Sequence, residues 1–212
     1  MAAEYSNTNA AIRTLARQLL GRSVVFAATH FKAGARQRLV LELLRATAHF
    51  DHHPGLPTDP RFFTIRKDPL GAPILFLQDR QGPSLSFSHD QDKLWAAMCS
   101  GGRVGIDVAY PQEFDGDYPF ARVFGPEELD RAKSICPNDA ARGAALVWSV
   151  KEASVKAIGT GFNRLDPVEV RVGTPLRRDQ GFLFEVMADR PVAAWAQTEG
   201  RGWLSLALDR QN

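Results

Sequence analysis

Cysteine is scarce in this 212-residue chain: Cys99 and Cys136 are its two thiols, and neither belongs to a CxxC pair. So few sulfurs exclude a disulfide framework and a thiolate-held metal cluster, and both read as core thiols. Long apolar runs are lacking too. No uninterrupted stretch reaches the roughly 20 residues that cross a bilayer, and the first residues lack the basic and apolar regions of a secretory leader. The expectation is a cytoplasmic protein without a membrane partner. A surplus of one charge is also missing, since 26 basic and 24 acidic side chains leave +2. That balance excludes a protein built to neutralise a long run of nucleic-acid phosphates.

What is present is ample core material, with 44% hydrophobic and 24% charged residues. The length exceeds one ordinary domain, yet no Ser/Gly linker interrupts it, which predicts two packed lobes, 1–102 and 103–212. The small net charge is unevenly spread. Residues 1–50 carry Arg13, Arg17, Arg22, Lys32, Arg36, Arg38 and Arg45 against Glu4 and Glu42, a local +5 that suits a small polyanionic ligand.

Periodicity predicts a first helix through Ile12, Leu15, Leu19 and Leu20, a strand over 23–28, and a helix over 35–50 buried through Leu39, Leu43 and Ala46 or Thr47. His49, His52 and His53 read as a solvated helix end rather than a metal site. Short strands follow at 62–66, 74–77, 85–88 and 94–98. In 104–108, Val104, Ile106 and Val108 share one strand face, while Gly105 and Asp107 share the other, turned away from the apolar side. Helices are predicted from Pro126 and from an Asn138 or Asp139 cap to Ile158, where Gly159 stops the second. Four strand candidates close the chain, at 168–172, 182–186, 192–196 and 203–208. The class is α+β.

One helix carries charge where a buried helix should not. Residues 144–150 are apolar nearly all round, yet Lys151, Glu152 and Lys156 follow within two turns. Glu152 and Lys156 share a face with Trp148, and an exposed i,i+4 ion pair would account for those two alone. Asp107 lies 45 residues upstream. If strand and helix pack together, the two carboxylates converge on one hard cation and the lysines offset phosphate charge, as in a Mg²⁺–pyrophosphate site. A simple strand-end aspartate is the alternative.

Gly105-Ile106-Asp107 followed by Trp148-Ser149-Val150-Lys151-Glu152-Ala153-Ser154-Val155-Lys156 resembles the paired signature of the 4′-phosphopantetheinyl transferases, (V/I)G(V/I)D and WSxKExxxK. Gly71-Ala72-Pro73 is similar to the family's G-x-P element, and Ser86-Phe87-Ser88-His89 to its S-H segment. The length resembles the larger, monomeric, surfactin-synthetase-activating class. The resemblance implies two similar α/β lobes in a pseudo-dimeric fold with the active site in the cleft between them. It implies coenzyme A and an apo acyl or peptidyl carrier protein as partners, the carrier serine receiving the phosphopantetheine arm as 3′,5′-ADP leaves. By the same resemblance, Asp107 and Glu152 hold Mg²⁺, and Glu152 is the base, directly or through a water. Lys151 and Lys156 face the phosphates. His89 contacts a phosphate, Ser88 and Arg36 hold the 3′-phosphate, and Gly71, Ala72 and Pro73 lie along the adenine.

Three positions depart from the family pattern. Ala109 stands where a second acid is common, with a water or Gln112 as a replacement; Ala72 replaces a frequent lysine; and Asp90 follows His89 in place of a small hydroxyl residue. Carrier docking is expected near 110–124, where Tyr118, Phe120 and Phe124 either face the partner or pack beneath a loop. A non-catalytic carrier- or CoA-binding module and a Mg²⁺-dependent nucleotide hydrolase are the alternative functions.

Overall fold

The computed structural model of the protein describes residues 24–50, 59–90, 92–178 and 180–209. The expected first helix through Leu20, together with His52 and His53, lies outside the described residues. The chain divides into two compact units, one ending at Val104 and the other spanning Gly105–Asp209.

In the first unit, β1 (Val24–His30) leads to helix α1 (Ala35–Phe50). The hairpin strands β2 (Phe63–Lys67) and β3 (Pro73–Leu77) follow, with the short β4 (Arg80–Gln81) beside β3. Next come β5 (Ser84–Asp90) and β6 (Lys93–Cys99), which form a second antiparallel sheet in the order β1-β6-β5. Burial carries helix α1: Leu39, Val40, Leu43, Leu44 and Thr47 are buried, a stripe that includes the predicted Leu39, Leu43 and Thr47. They share a core with Val25, Ala27, Leu94, Ala96 and Met98. Each fully buried aliphatic side chain contributes about 1.5–3 kcal/mol. β4 escaped the sequence reading because two exposed polar residues carry no alternation.

The second unit is built on β7 (Arg103–Ala109), whose first two residues belong to the first unit. The stretch expected to be irregular holds a 3₁₀ turn, Pro111–Phe114, and a single-turn helix α2, Phe120–Val123. Helix α3 (Pro126–Lys133) starts on proline, with Glu128 accepting the Gly125 N–H, and α4 (Ala140–Ile158) is the long central helix. Asp139 caps α4 by accepting the Arg142 N–H at 2.8 Å, and Gly159 ends it in the left-handed conformation at φ 82°. The strands β8 (Arg171–Val172), β9 (Leu176–Arg178), β10 (Gly181–Met187), β11 (Pro191–Glu199) and β12 (Gly202–Asp209) complete the unit. The sheet order is β7-β12-β11-β10-β8, with β9 also against β10. Of the predicted strand at 168–172 only Arg171–Val172 forms, since Pro167–Glu169 winds into a 3₁₀ turn.

Helix α4 lies against this sheet with small residues at the contact. Ser149 Oγ and Ser205 Oγ are 2.7 Å apart, and both residues are fully buried. The closest approach is at β7. A Cβ on Gly105 would stand 1.9 Å from the Ala153 carbonyl oxygen and 2.7 Å from the Ala157 nitrogen. The sequence-level expectation that Gly105 and Asp107 look away from apolar surroundings is therefore corrected. Both strand faces are buried, and the Gly105 face is covered by α4. Among the described residues, no helix is long and apolar enough to cross a membrane.

Backbone cannot yield to a methyl group as a flexible side chain can. Gly105→Ala is accordingly expected to cost at least about 2 kcal/mol through overpacking. Urea denaturation of the two proteins checks it, a midpoint equal to wild type being inconsistent with this contact.

Candidate active site

The glycine contact is what assembles the charged residues. Asp107 follows Gly105 by two on β7 and so shares its face. Glu152 and Lys156 each precede by one an α4 residue, Ala153 or Ala157, that meets Gly105. Lys156 Nζ donates to Asp107 Oδ1 at 2.7 Å and to the Ile106 carbonyl at 3.3 Å, and lies 3.8 Å from Glu152 Oε2. One cationic centre is thus reached by both carboxylates. The Asp107 side chain is 9% exposed, against 25% for Glu152 and 28% for Lys156. The group therefore sits at the margin of the interior, open on the Glu152 and Lys156 side. The isolated i,i+4 pair is not the arrangement found, because the nearer partner of Lys156 is Asp107.

Burial, with the charges of Asp107 and Glu113 added, lifts the Glu152 carboxyl to about 7, against the opposing pull of Lys156. Burial alone would lower Lys156, but Asp107 and Glu152 together hold it above the ordinary lysine value. The excess negative charge at Glu152 suits an additional cation. An all-oxygen donor set suits a hard divalent ion such as Mg²⁺, which commonly takes one or two carboxylates and leaves its other positions to water and phosphate oxygens. Among the described residues, no group of three or more His, Cys, Asp or Glu side chains is arranged for a metal. Asp107 and Glu152 are the two carboxylates here that would hold such a cation. A third charge felt by Glu152 comes from Glu113. Glu113 accepts the Tyr110 N–H at 2.7 Å, a capping arrangement in the 3₁₀ turn after β7.

Lys151 does not join this group, which corrects its predicted place on the phosphates. Successive helical residues are 100° apart, so Lys151 falls on the stripe of Val147 and Val155, both core residues. It is fully buried, and its ammonium donates to the Val123 and Pro167 carbonyls at 2.9 Å each and pairs with Glu128 Oε2 at 2.7 Å. Glu128 also accepts from the Gly125 and Val172 nitrogens at 2.7 Å each. Burial pulls the Lys151 amine below its usual value, and Glu128 opposes that pull. Sequence reasoning missed Glu128 as a partner. Its one signal was the Gly-Pro-Glu-Glu helix start, which reads equally as a cap.

The aromatic residues after β7 also turn inward. Phe124 is buried and meets Phe114; Tyr118 packs on Phe114, Phe120 and Phe124, and Phe120 on Phe124, with centroids 4.8–6.2 Å apart. They form the floor of a loop rather than an open docking face.

In the first unit, Gly71 and Ala72 lie in the turn between β2 and β3, and Pro73 begins β3. Asp68 organises that turn by accepting the Leu70 and Ala72 N–H groups at 2.8 Å each, and Gly71 is required there by φ 90°. Ser88 and His89 are neighbours on β5, so the pleat turns them to opposite faces, with Ser88 buried and His89 exposed. Asp90 likewise points away from His89. Arg36, in the first turn of α1, reaches the Phe31 and Phe87 rings, and Phe31 meets His89 edge-on. Arg36 and His89 thus come together around one ring, and Ser88 does not.

The two charged clusters separate in their expected responses. Lys151→Met strands a buried carboxylate, and should cost about 3–5 kcal/mol in thermal or urea unfolding. At Glu152 the folded value lies above the unfolded one, so the native state holds the proton more tightly, and stability from this group falls as pH rises through the interval up to about 7. Without divalent cations, Glu152→Gln should therefore gain on wild type by up to about 3 kcal/mol between about pH 5 and pH 8. A constant difference across that range would contradict the assigned environment.

Comparison with known proteins finds a family for the segment that carries these residues. Residues 103–204, the stretch that holds Asp107, Glu152 and Lys156, match the family model of the 4′-phosphopantetheinyl transferase superfamily. The chain is also 28% identical over 143 residues to the 4′-phosphopantetheinyl transferase HetI of Nostoc sp. (strain PCC 7120). That match covers 63% of this chain and 59% of the relative, so it spans less than two thirds of the relative's length. Both comparisons thus agree on one family, and residues 103–204 carry the match to the 4′-phosphopantetheinyl transferase superfamily.

Proposed function

We propose that the protein transfers the 4′-phosphopantetheine arm of coenzyme A to a serine hydroxyl of an apo acyl or peptidyl carrier protein, releasing 3′,5′-ADP. The observation that carries this reading is the convergence of Asp107, Glu152 and Lys156 on one point at the edge of the second unit, within the segment that matches the family. Two carboxylates with a single lysine suit a pyrophosphate accompanied by a divalent cation. Neither partner alone matches that set.

Asp107 and Glu152 are the residues to hold Mg²⁺, which when bound supplies charge stabilisation to the pyrophosphate oxygens. The remaining work falls to the chain itself. A serine hydroxyl is a weak nucleophile, and Glu152, lifted towards 7, is suited to accept its proton directly or through a water. The new bond joins the serine oxygen to the pantetheine-side phosphorus. The bond broken links that phosphorus to the oxygen departing with 3′,5′-ADP. Lys156, kept protonated by its neighbours, offsets charge gathering on the leaving phosphate. Lys151 has no part in this, being enclosed by Glu128. In the first unit the reading assigns the phosphates to His89 and Arg36, a supporting part to Ser88, and the adenine to the Gly71–Pro73 turn.

The test is incubation with CoA, Mg²⁺ and a panel of apo carrier proteins, followed by intact-mass analysis. The expected result is a carrier heavier by one phosphopantetheine group with one equivalent of 3′,5′-ADP, and a loss of at least about 100-fold in rate for Glu152→Gln. Release of 3′,5′-ADP without a carrier would instead indicate a hydrolase. Tight CoA binding with no transfer to any carrier would indicate a binding module.

A further inference from the structure

Phe31 is an exposed aromatic residue directly after β1, 45% exposed where Val24, Val25, Phe26 and Ala27 of that strand are buried. Its position is nevertheless fixed. The Phe31 backbone N–H donates to the Asp92 carbonyl at 2.6 Å, tying it to the turn that joins β5 and β6. Strands β1 and β5 are not neighbours, because β6 lies between them, which separates them by about 10 Å. The Phe31 ring crosses the end of β6 and meets the His89 ring of β5 edge-on, with centroids 5.5 Å apart at 69°. On another side the Arg36 guanidinium carbon lies 6.0 Å from the Phe31 centroid and 5.7 Å from that of Phe87.

Both groups that this ring holds are basic, and among the described residues no carboxylate pairs with either. The local sequence reinforces the sign: 30–38 is His-Phe-Lys-Ala-Gly-Ala-Arg-Gln-Arg, with no acidic residue. Asp90, the nearest acid along β5, is turned to the opposite sheet face. Cation–π contact and edge-on ring contact each restrict side chains that would otherwise sample many rotamers. An unneutralised guanidinium and an imidazole fixed on one ring form a recognition site for a compact anion of more than one charge.

We infer that Phe31 is a positioning residue, which holds Arg36 and His89 toward one phosphomonoester; on the reading given above, this is the 3′-phosphate of coenzyme A. Phe31 itself makes no polar contact with the ligand. Its effect is to remove the rotamer freedom of the two groups that do.

Isothermal titration with CoA and with 3′-dephospho-CoA, which lacks only that group, tests the inference without any carrier protein. Phe31→Ala should weaken CoA about three- to tenfold and leave 3′-dephospho-CoA within about twofold of wild type. Phe31→Tyr keeps the ring and should bind both as wild type does. The exposed side chain leaves the core intact when it is truncated, and circular dichroism of both variants checks this. Equal weakening of the two nucleotides by Phe31→Ala, or weakening of neither, overturns the inference and leaves the proposed transferase standing. Failure of the wild-type protein to bind CoA at all removes the proposed function, and this inference with it.

Discussion

The structure of the second unit depends on a backbone contact, the approach of helix α4 to strand β7 at Gly105. No side chain separates them there, since even a methyl group would overlap the Ala153 carbonyl. Two consequences follow from the periods of the two elements. The strand repeats every two residues, so Asp107 emerges beside the contact. The helix repeats every 3.6, so Glu152 and Lys156 flank the Ala153 and Ala157 stripe and meet that aspartate. A bulkier contact would hold the carboxylates apart, and neither could share Lys156 with the other.

Helix α4 carries charge on two sides, and the two sides serve different ends. Around Lys151, an ammonium with three acceptors meets a carboxylate with three donors, so every strong polar group is satisfied and nothing is left for a ligand. Such a pair adds little net stability over an apolar replacement of both partners, but breaking one side is costly. It ties together α2, α3, the 167–169 turn and β8, the elements that enclose α4 away from the site. Around Glu152 the balance is left incomplete. Two carboxylates share one lysine and Glu113 adds negative charge, which together with burial lifts the Glu152 carboxyl. A carboxyl lifted in this way at the margin of the interior marks a candidate site.

Departures from the family pattern acquire physical meaning in this setting. Ala109 leaves the strand without a second acid, and the nearby charge is supplied from Glu113, across the 3₁₀ turn. Asp90, which in the sequence stands next to His89, is kept from it by the pleat. The ring of Phe31 gathers Arg36 and His89 although 53 residues separate the latter two in the chain.

Much of the architecture was legible from local rules. Helix α4 was bounded by Asp139 and Gly159, α1 by its apolar stripe, and most strands by alternation, because caps and periodicity act within a few residues. The paired motifs around Asp107 and Glu152 likewise identified the family-bearing segment and its carboxylates. The roles of individual charges were not legible. Lys151 and Lys156 are chemically identical and five residues apart, yet one is enclosed by Glu128 and the other faces Asp107, because the partners arrive from distant strands and turns. The sequence by itself determined most of the elements and the alternation of faces along them. Only the tertiary structure decided which of those faces meet a countercharge and which stay open, since burial and Coulomb energy depend on neighbours in space and not along the chain.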